Sequence, residues 1–167
     1  RYVGWGGLPQ AFDERSEAWH SEYSALKSLL TQEEYEAARA STLNAYYTSP
    51  TVIRAIYAAV EQLGFRSGNV LEPSCGVGNF FGMLPDSMKE SRLYGVELDS
   101  ITGRIAQQLY PKAHITIAGF ETTDRRDFFD LAIGNVPFGA YQVQDKAFAR
   151  HNFPVSYTHL TLPTNRE

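Results

Sequence analysis

An α/β fold with a parallel sheet, preceded by a helical N-terminal extension, is what this sequence predicts, and three observations carry it. Up to about residue 64 the apolar residues recur at three- and four-residue spacing, the period of amphipathic helices. Four short apolar and β-branched runs follow, over 69–72, 92–98, 114–118 and 129–133. The segments between these runs are of helix length, which implies parallel strands joined by right-handed βαβ crossovers. With 167 residues, 43% hydrophobic and 20% charged, the chain has the size and composition of one folded domain with a core.

Each element follows from local signals. The first dozen residues, rich in glycine and aromatics and without a period, read as an arm or linker. Over 13–30, Ala18, Trp19, Tyr23, Leu26 and Leu30 share one face of a helix. Thr31 and Glu34 make a capping box, so a second helix runs to about Ala40. Ser49 and Pro50 supply an N-cap and a proline at the first helical position. The helix they open buries Val52, Ile53, Ile56, Tyr57 and Val60 and stops near Gly64. The first strand, 69–72, is ended by Pro73 and two glycines, the profile of a buried strand entering a tight turn. The second carries Leu93, Tyr94 and Val96, after which Asp99 or Ser100 caps a helix to about Tyr110. Ile115 and Ile117 alternate in the third strand, and the fourth closes on Gly134-Asn135-Val136-Pro137-Phe138-Gly139.

Charge and composition exclude several functions. Fifteen Lys and Arg against nineteen Asp and Glu leave a net charge of −4. Nonspecific nucleic-acid affinity rests on clustered positive charge, so any contact with DNA must be local or lie elsewhere in the protein. No apolar run reaches the roughly 18 residues of a membrane span. The single cysteine, Cys75, allows no internal disulfide and fits a reducing, cytoplasmic setting. His20, His114, His151 and His159 lack metal-ligand spacing, so no metal site is expected, and His114 reads as a core or edge residue of its strand. The start, Arg1-Tyr2-Val3-Gly4, has no initiator Met and no signal-peptide pattern, and suggests a segment cut from a longer protein. Residues 156–167 fit nothing before them and read as a non-native tail, a translated adapter.

Chemistry concentrates first in Leu71-Glu72-Pro73-Ser74-Cys75-Gly76-Val77-Gly78-Asn79-Phe80. A strand ends there in an acid, and Gly76 and Gly78 let the backbone pass close under a ligand with no Cβ in the way. Glu97 ends the next strand, 19 residues past Gly78, well placed to accept hydrogen bonds from both hydroxyls of a ribose. Together they describe a nucleoside-containing cofactor at the carboxyl edge of a parallel sheet. A dinucleotide fingerprint needs a third glycine at position 81, where Phe81 stands, and no P-loop lysine is near. A nicotinamide-linked oxidoreductase remains a rival, to be separated by cofactor preference. A nucleophilic Cys75 is the weaker reading, because a small residue between Ser74 and Gly76 is all the turn requires.

The Glu-Pro-x-x-Gly-x-Gly pattern of residues 72–78 resembles motif I of the S-adenosylmethionine-dependent DNA methyltransferases that act on amines. Asn135-Val136-Pro137-Phe138 resembles their catalytic Asn/Asp-Pro-Pro-Tyr/Phe motif, with Val136 in place of the first proline. The resemblance implies that the Asn135 side chain and the Val136 carbonyl hold the hydrogens of an exocyclic amine, a poor nucleophile whose lone pair is delocalised into the base. Pro137 would fix the loop and Phe138 would stack on a base swung out of the helix. Asn44-Ala45-Tyr46-Tyr47-Thr48-Ser49-Pro50 resembles motif X, with Thr48, and Tyr46 or Tyr47, near the cofactor. Gly119-Phe120-Glu121 stands where the family places an acid against the cofactor's adenine, one residue later than usual.

The implied fold is a Rossmann-like class I methyltransferase core with an incomplete sheet, and the implied cofactor is S-adenosyl-L-methionine. Motif X ahead of I and IV is the order of the γ class, which usually methylates adenine N6. The Gly-Trp-Gly-Gly start, Leu98-Asp99-Ser100-Ile101-Thr102-Gly103-Arg104 and the Asn-Val-Pro-Phe-Gly loop narrow the resemblance to the methylase portion of very large methylase–helicase proteins of phages and conjugative elements. On that basis residues 1–43 are an N-terminal arm and helices, 44–155 a partial catalytic domain and 156–167 the tail. DNA and a helicase domain in the same parent chain are the implied partners, and the piece is expected to be inactive alone. The same motifs serve N4-cytosine, RNA or protein-glutamine methylation, and a non-catalytic cofactor-binding module is a further alternative.

Overall fold

The computed structural model describes residues 4–42 and 47–136. The chain divides into two compact units, 1–135 and 136–167, and all elements below belong to the first. The tail 156–167, His151 and His159 lie outside the described residues.

The arm is structured rather than a linker. Pro9–Phe12 and Glu17–Trp19 form 3₁₀ turns, followed by helices α1 (His20–Leu29) and α2 (Gln32–Ser41). The helix expected from residue 13 therefore starts at His20, because Asp13 and Ser16 take extended backbone and interrupt the period. Ala11 and Phe12 are buried with Tyr35 and Ala38 in a small core of their own, and Trp5 meets the Phe12 ring edge-on at 5.6 Å. The capping box of α2 forms as expected, Glu34 N–H donating to Thr31 Oγ1 and Thr31 N–H to the Glu34 carboxylate.

Helix α3 (Pro50–Gln62) starts on the Ser49 cap, whose hydroxyl oxygen accepts from Val52 N–H. Ile53, Ile56, Tyr57 and Val60 form its apolar stripe. Val52, expected inside, is half exposed; at about 100° per residue it sits about 90° from the centre of that stripe.

Strands β1 (Asn69–Glu72), β2 (Arg92–Glu97), β3 (His114–Ile117) and β4 (Leu131–Ala132) pair in parallel in the order β3-β2-β1-β4. The chain therefore builds outward from β1 on one side and then returns to β1's other edge. That reversal is the topological switch point, where the carboxyl ends of β1 and β4 leave a crevice in open α/β sheets.

Register places Val70, Leu93 and Leu131 in one row, with Gly95 and Ile115 on the same face. Helix α3 covers that face at β1 and β4 through Ile53, Tyr57 and Ile133. Helix α4 (Ser100–Leu109) covers it at β2 and β3 through Ala106, Ile115 and Cys75. Asp99 caps α4, accepting from Ile101 N–H. On the opposite face Tyr94 stacks on His114 at 5.0 Å, so His114 is an exposed edge-strand residue.

Two crossovers depart from the βαβ expectation among the described residues. Between β1 and β2 the chain makes only 3₁₀ turns, Phe81–Met83 and Asp86–Met88, and between β3 and β4 only Phe120–Thr122. Pro85 and Gly82 stand where a helix would have to propagate. The fourth strand is shorter than expected, although Ile133 N–H still donates to the Leu71 carbonyl at 2.8 Å.

Candidate functional site

The site forms at the switch point. Strand β1 delivers Glu72 into the interior, where it is 3% exposed and its Oε2 has no hydrogen-bond partner. Burial, reinforced by the neighbouring Glu97, pushes its carboxyl well above the ordinary value. The turn that follows is pinned by Cys75 N–H donating to the Val96 carbonyl and Gly78 N–H to the Cys75 carbonyl. Gly76 and Gly78 have φ of +54° and +79°, the left-handed region that a side chain disfavours.

The glycines serve a purpose the sequence reading did not foresee. A Cβ at Gly76 would lie 2.9 Å from Tyr47 Cε1, and one at Gly78 would strike the Tyr110 ring. The space a Cβ would take at each glycine is therefore filled by a tyrosine of the chain itself. Tyr47 stands in the segment that resembles motif X, whereas nothing in the sequence marks Tyr110 for this place; both arrive there by long-range packing.

Glu97 ends β2 as expected and faces the turn. Its Oε2 accepts from Gly76 N–H and its Oε1 from Asp99 N–H, both at 2.8 Å. Burial raises its pKa while those two backbone donors oppose the rise. The carboxylate thus braces the turn as well as facing the crevice. Each oxygen keeps accepting capacity for a ligand hydroxyl.

Cys75 is 3% exposed, and burial together with Glu72 and Glu97 pushes its thiol up, the opposite of an activated nucleophile. Its sulfur packs on β2, where a Cβ at Gly95 would come within 2.9 Å of it.

A cavity of about 360 Å³ lies between the start of α3 and the segment after the turn. Thr48, Ser49 and Pro50 line one side and Asn79, Gly82 and Met83 the other, with Tyr47 and Tyr110 at its walls. Thr48 Oγ1 is buried without a partner. Glu72, Gly76 and Glu97 do not line the cavity, so it accounts for one end of the expected site.

Strand β4 brings the last segment in. With Ile133 bonded to Leu71, a Cβ at Gly134 would meet Glu72 Cγ at 3.3 Å and Pro73 Cδ at 3.5 Å. Gly134 therefore packs against the end of β1, and half-buried Asn135 follows it directly. Val136 is also half buried. Pro137 and Phe138, like Asn44, Ala45 and Tyr46, lie outside the described residues. Glu121 falls in the 3₁₀ turn after β3, and its side chain is not described. Among the described residues no cluster of His, Cys, Asp or Glu could hold a metal, and no helix is long and apolar enough to cross a membrane.

No protein-family model matches the chain. Over 127 residues it is 32% identical to the Defense against restriction protein B of Escherichia phage P1, a match covering 72% of this chain and 6% of that protein. Over 93 residues it is 39% identical to the Type II methyltransferase M.CvrRI of Paramecium bursaria Chlorella virus XZ-6E, covering 55% of this chain and 24% of that protein. The matches thus span a small part of each relative's length. Among solved structures, a Listeria monocytogenes protein described as a class I S-adenosylmethionine-dependent methyltransferase superposes with a TM-score of 0.51 at 16% identity, over 77% of this chain and 46% of that one.

The fold is that of the class I S-adenosylmethionine-dependent methyltransferases. The polar groups at the switch point and along the cavity at the start of α3 fit the cofactor of that fold. Thr48 Oγ1 and Glu72 Oε2 are buried polar atoms awaiting partners, Glu97 has accepting capacity left, and the adjoining cavity is of ligand size.

Proposed function

We propose that this chain carries the cofactor-binding edge and the catalytic loop of an S-adenosylmethionine-dependent methyltransferase whose substrate is the N6 amine of adenine in DNA. The observation that supports the reading is the seating of Gly134 against Glu72 and Pro73, with Asn135 next in the chain. In this reading Asn135 serves the crevice at the carboxyl edge of the sheet, where ligands of open α/β sheets bind. The names of two relatives, a methyltransferase and a defence-against-restriction protein, support the same reading.

When bound, S-adenosylmethionine supplies a methyl group on a sulfonium centre. Thr48, Glu72, Pro73, Gly76, Gly78, Glu97 and Glu121 are the residues assigned to hold it. Glu97 accepts from ribose hydroxyls, and Glu72 and Thr48 satisfy polar groups that only the cofactor brings. The Asn135 side-chain oxygen and the Val136 carbonyl accept the two amine hydrogens, which favours a pyramidal nitrogen with its lone pair available. Pro137 holds the loop and Phe138 stacks on the flipped base. No base is needed before transfer, since the nitrogen sheds its proton afterwards.

DNA is the partner in this reading, and a helicase domain accompanies the methylase in the longer protein. The test is nucleoside mass spectrometry of DNA incubated with that longer protein and S-adenosylmethionine. N6-methyladenine is the expected product, and N4-methylcytosine alone would move the assignment to another amine. Asn135→Ala lowers transfer by about 100-fold or more, on the scale of removing one positioned catalytic hydrogen-bonding group, while cofactor affinity stays near that of the unaltered protein. Equal loss of both would refute the role given to Asn135.

A further inference from the structure

Tyr47 is held at both edges of its ring tip by glycines from distant parts of the chain. On the Cε1 edge is Gly76 of the turn, where a Cβ would lie 2.9 Å away. On the Cε2 edge is Gly4 of the N-terminal arm, where a Cβ would lie 2.6 Å from Cε2 and 2.8 Å from the hydroxyl oxygen. Both separations are shorter than a side chain permits, so each glycine is what lets its segment reach the ring. Gly4 is buried, with φ of +76°, a second reason for glycine at that place.

The arm is anchored independently of Tyr47. Trp5 packs edge-on against Phe12, and Phe12 packs on Tyr35 of α2 at 5.3 Å. Gly7 N–H donates to the Thr42 carbonyl at the end of α2. Helix α2 is in turn tied to α4 by the ion pair of Glu34 and Arg104. The arm therefore presents Gly4 from a fixed base, and Tyr47, which also lines the cavity, stands between that base and the turn.

We infer that the N-terminal arm is a positioning element of the cofactor site, acting through the Tyr47 ring on the turn at Gly76. Gly76 N–H is bonded to Glu97, so the ring's seat also fixes the carboxylate assigned to the ribose. Loosening the arm frees the ring, and the turn then loses its backing. Only the affinity readout below rests on the cofactor reading; the exchange readout stands without it.

The experiment measures hydrogen exchange of the Gly76 and Gly78 amides in the ligand-free full chain, alongside thermal melting and calorimetric titration with S-adenosylhomocysteine. Trp5→Ala removes the arm's anchor on Phe12 while leaving Gly4 and the Tyr47 side chain unaltered, and Gly4→Ala pushes the ring directly. Each is expected to speed exchange at Gly76 and Gly78 by about tenfold, a local opening rather than a global one. Affinity is expected to fall by a similar factor. Amides of β1 and β2 exchange as before. In a Tyr47→Leu background the two arm variants have no further effect, as expected for changes acting through one shared group.

Unchanged exchange at Gly76 in folded Trp5→Ala would overturn the inference. So would acceleration spread evenly over the sheet, or additive effects with Tyr47→Leu. Should the arm variants fail to fold, the milder Trp5→Leu takes their place under the same criteria. An unaltered chain that binds no S-adenosylhomocysteine would refute the cofactor reading and leave the exchange result to judge the arm.

Discussion

Replacing Glu72 by Gln raises the stability of the ligand-free chain at neutral pH and weakens cofactor binding. Glu72 is 3% exposed with one carboxyl oxygen unpartnered, and burial beside Glu97 holds its pKa well above the ordinary 4.5. Above pH 4.5 the unfolded chain releases a proton that the folded chain retains. The folded state then binds more protons, so stability falls as pH rises through that window. Below pH 4.5 both states are protonated and the penalty disappears. Gln carries no such proton and escapes that penalty, which grows by about 1.4 kcal/mol for each pH unit above 4.5 until the folded-state carboxyl itself ionises. For a chain of this size each kcal/mol moves Tm by about 2–4 °C. Melting curves of the two chains from pH 4 to pH 8 are the assay. They should nearly coincide at the acid end and separate as pH rises, Glu72→Gln melting higher, while its affinity for S-adenosylhomocysteine drops. A variant that melts lower at neutral pH would contradict this, because it would mean that Glu72 is ionised and stabilised by a partner in the folded state.

Three further outcomes follow from the packing and the local geometry. Tyr57→Phe removes the hydroxyl that donates to the Phe80 carbonyl at 3.0 Å in the core, and chemical denaturation should show a loss of about 1–2 kcal/mol. Ile53→Ala, at a side chain with no exposure, should cost about 2–5 kcal/mol by the same assay. Gly78→Ala combines a φ of +79° with a collision against Tyr110 and should lose about 1–3 kcal/mol together with cofactor affinity, whereas a neutral effect would mean the turn relaxes freely.

The elements that local chemistry specifies were legible in the sequence. The capping box at Thr31, the Ser49-Pro50 start of α3 and the Asp99 cap of α4 each depend on residues within one turn, and each forms. Strand β1 was readable because Pro73 and Gly76 end it. The arm was not, since its order comes from Trp5, Phe12 and Tyr35 meeting across a separation that no periodicity encodes. The 3₁₀ crossovers were missed because segment length indicates a crossover without indicating its conformation.

At the site, the placing of Glu72 and Glu97 at adjacent strand ends followed from the motif spacing. That Glu97 braces Gly76 and Asp99, and that tyrosines fill the Cβ side of both glycines, are tertiary facts. Thr48 and Asn79 face one cavity although 31 residues separate them in the chain, a juxtaposition that only packing reveals.

The most direct test of the account is calorimetric titration of the full chain with S-adenosylhomocysteine, with NAD run in parallel. One saturable site for the nucleoside thioether and none for NAD is the expected result. A folded chain that binds NAD in preference, or neither compound, would contradict the assignment of the switch-point crevice to S-adenosylmethionine.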